Sequence, residues 1–140
     1  MEPVKDKDSR FLLDTHVLLW WLFDDPMLSV TAHSVIQAPD NIILVSSASG
    51  WEIATKHRLG RLPHAGEVAH DLPALLRKSR MDVLPISMDH ALAAGALPGP
   101  HRDPFDRMLI AQGQIERLPI ITSDPVFKPV SYTHLTLPTN

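Results

Sequence analysis

The sequence predicts an α/β fold in which a mostly parallel sheet carries helices on both faces. Four short apolar runs, Phe11-Leu12-Leu13, Ile42-Ile43-Leu44-Val45, Val83-Leu84-Pro85-Ile86 and Ile120-Ile121, have the length and composition of buried strands. Longer stretches of helical composition separate them, and strands alternating with helices read as crossover units. A chain of 140 residues, 44% hydrophobic and 21% charged, suits one compact domain and excludes a second full one.

The helical stretches run from Thr15 to Phe23, Pro26 to Gln37, Ala48 to Leu59, Ala65 to Arg80, His90 to Leu97 and Pro104 to Leu118. Asp25-Pro26 and Asp103-Pro104 each set a capping carboxylate before a proline at the first helical position, where the missing N–H costs nothing. Gly60 follows Lys56-His57-Arg58-Leu59 and reads as a helix stop after a basic last turn. Pro85 cannot donate to a ladder, so the third run is expected near a sheet edge. Leu97-Pro98-Gly99-Pro100 is a loop that leads into His101-Arg102-Asp103.

Composition removes several function classes. Without cysteine there is no disulfide framework, thiolate zinc site or cysteine nucleophile. The eight histidines show no paired metal spacing. No apolar run approaches the ~20 residues of a membrane span, and Met1 to Arg10 is too polar for a secretory signal, so a cytoplasmic protein with no membrane partner is expected. A net charge of -3 decides nothing about nucleic acid, because carboxylates gathered around a cation account for part of it.

In parallel sheets chemistry sits outside the carboxyl ends of the strands. Asp14 follows the first apolar run, and Asp124 follows the fourth after Thr122-Ser123. Glu52 falls early in the helix after the second run, while Asp103 and Asp106 open the helix after the proline loop. Gathered carboxylates repel by about 4 kcal/mol per pair at 4 Å and an effective dielectric near 20. Protonation, basic partners or a divalent ion must compensate, and oxygen-only ligands select hard cations such as Mg²⁺. Each acid also has a structural reading. Asp103 to Asp106 forms a capping box with an Asp103–Arg107 pair at i,i+4, Asp14 caps a helix, Glu52 is solvated, and Asp124 opens an Asp-Pro turn. The tryptophans Trp20, Trp21 and Trp51 are expected in the core, with one of the adjacent pair partly exposed.

Four blocks carry a resemblance, in order and over residues 11 to 127. They are Leu12-Leu13-Asp14-Thr15-His16, then Ser46 through Trp51-Glu52-Ile53-Ala54 to Gly60-Arg61-Leu62, then His101-Arg102-Asp103-Pro104-Phe105-Asp106-Arg107-Met108-Leu109-Ile110-Ala111-Gln112, and Ile121-Thr122-Ser123-Asp124. Together they resemble PIN-domain ribonucleases, more narrowly the VapC-type toxins of bacterial toxin–antitoxin pairs. The resemblance implies a small three-layer α/β/α sandwich with a mostly parallel central sheet, cleavage of RNA dependent on Mg²⁺ or Mn²⁺, homodimerisation and inhibition by a cognate antitoxin. It matches the family's acids to Asp14, Glu52, Asp106 and Asp124, with Asp103 accessory and Thr15, Thr122 and Ser123 as neighbouring hydroxyls. On that reading Asp14, Asp106 and Asp124 hold the metal, and Glu52 holds a second ion or orients the attacking water. Arg102, Arg107, Lys56 and Arg58 are the leading candidates to guide RNA phosphates, with His57, Arg61 and His101 nearby.

Two parts of the chain stand apart from this domain. Residues 1–10 form a polar extension, and residues 128–140 depart from the family pattern. Ser131 to Asn140 resembles translated sequencing adapter, so it is excluded from fold reasoning and the family's last strand is expected to be missing or replaced. Phosphoryl-transfer domains of receiver or haloacid-phosphatase type want an Asp pair near the first strand and a strand-end lysine, and this chain has neither. A truncated, inactive homologue that only binds an antitoxin or partner subunit is the other reading, separable by whether Mn²⁺ raises the melting temperature.

Overall fold

The computed structural model describes residues 9–99, 103–123 and 136–137. Its elements in chain order are β1 (Arg10–Leu13), α1 (Thr15–Leu22), α2 (Val30–Gln37), β2 (Ile42–Ser46), α3 (Ser47–Arg58), α4 (Gly66–Lys78), β3 (Met81–Leu84), α5 (Met88–Ala96), α6 (Pro104–Glu116), β4 (Ile120–Ile121) and β5 (Thr136–Leu137). The strands form one parallel sheet in the order β3-β2-β1-β4-β5.

Strand alternation sends side chains to two cores, one on each face of the sheet. Leu13, Ile43, Val45, Met81 and Ile121 point to one, where Val17, Ile36, Ile53 and Leu72 of α1 to α4 cover them. Leu12, Leu44 and Ile120 point to the other and meet Leu109 of α6 and Leu118. The expected three-layer α/β/α sandwich is therefore the observed one. From β1 the chain builds outward to β2 and β3, then returns to lay β4 on the opposite side of β1. Strand order reverses between β1 and β4, and the carboxyl ends at such a reversal are where sheets of this kind bind ligands.

Several boundaries differ from the sequence reading. The second helix begins at Val30 rather than Pro26, because Ser29 Oγ caps it by accepting from Ala32 N at 3.1 Å. Asp25 instead holds a turn, accepting from Met27 N at 2.9 Å. The third strand covers Met81–Leu84 and stops before Pro85, which lacks the N–H a ladder needs. It does lie at a sheet edge. The segment set aside at the C-terminus supplies β5, paired with β4 through Ile120↔Thr136 and Ile121↔Leu137, so the last strand is replaced. Gly60 ends α3 as expected, with φ +76.

Helices α5 and α6 are pinned together at both ends. The Arg107 guanidinium donates to the carbonyls of Ala94 (3.1 Å), Gly95 (3.3 Å) and Leu97 (2.7 Å), which the end of α5 leaves without helical partners. At the opposite ends His90 Nε2 meets Glu116 Oε2 at 2.7 Å. Gly113 lets α6 close on β4, since a Cβ there would stand 3.0 Å from the Ile120 side chain.

Ile53 is fully buried and seats α3 against the sheet. Ile53→Ala is expected to lower stability by about 2–5 kcal/mol, read from urea denaturation, by loss of burial and the cavity left behind.

Candidate active site

The reversal point between β1 and β4 is where the first acid sits. Pairing of Leu13 with Ile121 sets Asp14 beside Thr122, and Asp14 N donates to Ile121 O at 3.1 Å. Asp14 caps α1: its Oδ1 accepts from His16 N at 2.6 Å and Val17 N at 3.4 Å. Its Oδ2 accepts from the Thr122 hydroxyl, so the carboxylate is only 3% exposed yet hydrogen-bonded through both oxygens. Burial raises its pKa above the usual carboxylate range. The Thr122 hydroxyl, the charge of His16 and the two backbone N–H groups pull the other way without cancelling that effect.

Glu52 reaches the same region along α3. Thr15, next to Asp14, shares a 2.8 Å hydroxyl hydrogen bond with Ser49, one turn before Glu52 on the same helix. This buried pair ties the start of α1 to α3. Glu52 is itself buried, and its Oε2 accepts from Lys56 Nζ at 2.5 Å. Its Oε1 is buried with no hydrogen-bond partner among the described residues, an arrangement that costs free energy unless something else binds that atom.

Lys56 also reports where the start of α6 lies. Burial lowers its pKa, but the hydrogen bond to Glu52 and the fields of Glu52, Asp103 and Asp106 outweigh that and leave the ammonium above the usual lysine range. Thus Glu52, Asp103 and Asp106 share one cation. Asp103 is the N-cap of α6, accepting from Phe105 N at 2.8 Å and Asp106 N at 3.3 Å, and Asp106 is half-buried in the first turn. The capping interpretation of Asp103 is therefore realised in the fold, alongside its nearness to the acids.

The remaining candidates divide. Asp124, Arg102 and His101 lie outside the described residues. Ser123 is exposed, as are His57, Arg58 and Arg61 toward the far end of α3. Arg107 is half-buried and its guanidinium is occupied with the carbonyls of α5, which gives it a task in positioning α6. Among the described residues no three carboxylates or histidines converge closely enough to enclose a metal ion by themselves. A hard cation of the Mg²⁺ type takes only one or two carboxylates, with water and substrate phosphate completing its shell. An all-oxygen donor set with the unpartnered Glu52 Oε1 fits such an ion.

One expectation about the aromatics is corrected. Trp20 and Trp21 pack against the main core, but Trp51 is 58% exposed. Its ring meets Phe105 at 4.7 Å and 76°, an edge contact between α3 and α6. Helical position explains the difference: Glu52 and Ile53 point inward, which turns the residue before them to the surface. Sequence reasoning also missed Ser49, although its place three residues before Glu52 on the same face was a usable signal.

The chain belongs to the PIN domain family, whose model matches residues 11–131. Over 61 residues it is 43% identical to Ribonuclease VapC16 of Mycobacterium tuberculosis, a match covering 44% of this chain and 42% of that protein, so under half of that relative's length is spanned. Among solved structures it is similar to the VapBC2 complex of Rickettsia felis bound to a DNA fragment from their promoter, with a TM-score of 0.64 and 15% identity over 94% of this chain and 99% of that one. A toxin-antitoxin complex from Klebsiella pneumoniae gives 0.62 and 19% over 90% and 96%. At these identities the structural likeness speaks for the fold alone. No helix among the described residues is long and apolar enough to cross a membrane.

A carboxyl whose folded pKa is raised binds its proton more tightly in the native than in the unfolded state. Its protonated form supports the fold, and that support is lost as pH rises from the unfolded value near 3.8 through the folded one. Asp14→Asn keeps the Oδ1 acceptor that caps α1 and removes the buried charge. In EDTA the variant is expected to melt above the parent at pH 7, with the difference shrinking toward pH 4. Thermal melts across that range check it.

Proposed function

We propose that this PIN domain is a metal-dependent endoribonuclease, the toxin of a bacterial toxin–antitoxin pair acting in the cytoplasm. The observation that carries the reading is the buried Asp14 at the carboxyl end of β1, beside the sheet's point of reversal, with α3 tied to it through Thr15–Ser49 and the Glu52 of that helix sharing the field of Lys56 with Asp103 and Asp106. Similarity to a ribonuclease over 61 residues and to toxin–antitoxin complexes in fold supports it. Its partners on this reading are an RNA substrate, a cognate antitoxin and a second copy of the chain.

Asp14, Glu52, Asp106 and Asp124 are the residues proposed to hold Mg²⁺ or Mn²⁺. When bound, such an ion polarises a phosphodiester and lowers the pKa of water for in-line attack. The protein side of the chemistry follows from the hydrogen bonds. Thr122 and the start of α1 hold the Asp14 carboxylate in one orientation. Lys56 fixes the Glu52 side chain through Oε2 and leaves Oε1 open to the cation. Asp103 sets the first turn of α6 and so the place of Asp106.

The purified protein is expected to cut total bacterial RNA at discrete positions with Mn²⁺ and not with EDTA, as read by end mapping. Asp14→Asn and Glu52→Gln are expected to slow cleavage by at least about 100-fold. A fully active Asp14→Asn protein would sink the assignment. Mn²⁺ at a hundred times its Kd is expected to stabilise the parent by about 2.7 kcal/mol, and Asp14→Asn far less. No metal-linked stabilisation and no cleavage from a folded sample would favour the inactive binding module.

A further inference from the structure

We propose that Trp51 is a stacking platform for an unpaired RNA base adjoining the phosphodiester held at the acids, an inference that rests on the nuclease reading above. Two acid-bearing elements each place an aromatic ring beside their carboxylates. Trp51 immediately precedes Glu52 on α3, and Phe105 lies between Asp103 and Asp106 on α6. The two rings meet edge to face at 4.7 Å, so the pair spans the same gap across which Lys56 links Glu52 to Asp103 and Asp106. A phosphodiester bound among those acids brings its flanking nucleosides to this rim.

The chemistry of the surroundings selects a base over a protein side chain. An edge contact covers little of an indole's π-surface, and Trp51 remains 58% exposed. Its exposed neighbours on that side of α3 are Ser47, Ala54 and Arg58, small or polar residues rather than a contiguous apolar patch. Protein docking surfaces are built as such patches, whereas nucleic-acid sites set single aromatics among polar and cationic groups. Arg58 stands seven residues on, close to the same face and roughly 10 Å along the helix axis. It is exposed, so an RNA strand lying along α3 would meet a ring for a base and a guanidinium for a phosphate.

The test measures binding with Ca²⁺ in place of Mn²⁺ and in the Asp14→Asn background, so that a cation is present and nothing is cut. The probe is an unstructured ten-nucleotide RNA carrying 2-aminopurine. Trp51→Leu is expected to weaken binding at least about 10-fold, and Trp51→Phe, which keeps a ring against Phe105, by no more than about threefold. Binding of a blunt-ended RNA duplex of the same length, in which every base is paired, should not respond to Trp51→Leu. Equal affinity of Trp51→Leu and its parent overturns the proposal, as does an equal loss in the Leu and Phe variants, which marks a packing role. Loss of dimer or antitoxin association with RNA affinity intact overturns it in favour of protein docking. Should Trp51→Leu fail to fold, quenching of 2-aminopurine on binding to the Asp14→Asn protein decides, and no change in that signal counts against stacking. If the parent neither binds nor cuts any RNA, the nuclease reading itself fails. A parent that cuts RNA while Trp51→Leu binds it equally well removes only the platform.

Discussion

A carboxylate 3% exposed at the meeting of β1, α1 and β4 dictates what the surrounding structure must provide. Burying an ionised group is costly unless hydrogen bonds replace its water. Asp14 receives them from three directions: two backbone N–H groups at the start of α1, favourably placed relative to the helix dipole, and the Thr122 hydroxyl after β4. That last donor exists only because the chain returns across the sheet to place β4 beside β1. The topology and the acid therefore require one another. Its pKa still lies above the ordinary range, so these donors offset the desolvation only in part and the site retains an affinity for positive charge.

Placement of the other acids depends on how α3 and α6 are fixed, and each is fixed by polar contacts, buried for α3 and partly buried for α6, rather than by apolar packing alone. The Thr15–Ser49 bond locks α3 to the start of α1, one turn from Glu52. For α6 the constraint is applied at both ends against α5, by Arg107 on the terminal carbonyls and by His90 on Glu116. His90 is held in turn, its Nδ1 accepting from Ser87 N at 3.0 Å while its own N–H is capped by the Ser87 hydroxyl. Directional bonds specify the rotation of a helix about its axis more narrowly than area burial does. That rotation decides whether Asp106 faces the acids or solvent.

What the chain discloses without its fold follows the same division. Strands and helices were legible because their signals are local: short apolar runs, a glycine after a basic turn, an aspartate before Pro104. Asp14 and Glu52 were legible as strand-end and helix-start acids once a parallel sheet was inferred. The start of α2 was misplaced because two capping signals, Asp25-Pro26 and Ser29, compete within four residues, and only packing chooses between them. Arg107 illustrates the harder case. Its position beside Asp106 suggested phosphate binding, while the carbonyls that occupy it belong to residues 10 to 13 positions earlier, across a proline loop. Trp51 was likewise assigned to the core, because what turns it to the surface is the rotation of α3, which its own sequence neighbourhood does not disclose.

Electrostatics at the sheet end connects this architecture to its chemistry. Glu52, Asp103 and Asp106 share the field of the Lys56 ammonium, and Asp14 feels that of His16. On the nuclease reading proposed above the substrate, RNA, is itself a polyanion, and its approach to these acids is unfavourable unless additional positive charge is supplied between phosphate and carboxylate. A divalent ion does this at the one place where both partners are anionic, and it would bind the oxygen of Glu52 that the protein leaves unpartnered. Lys56 cannot substitute, because its single charge is already spent on fixing the other Glu52 oxygen. The protein's own contacts thus orient the carboxylates of Asp14 and Glu52 and leave one Glu52 oxygen for a cation.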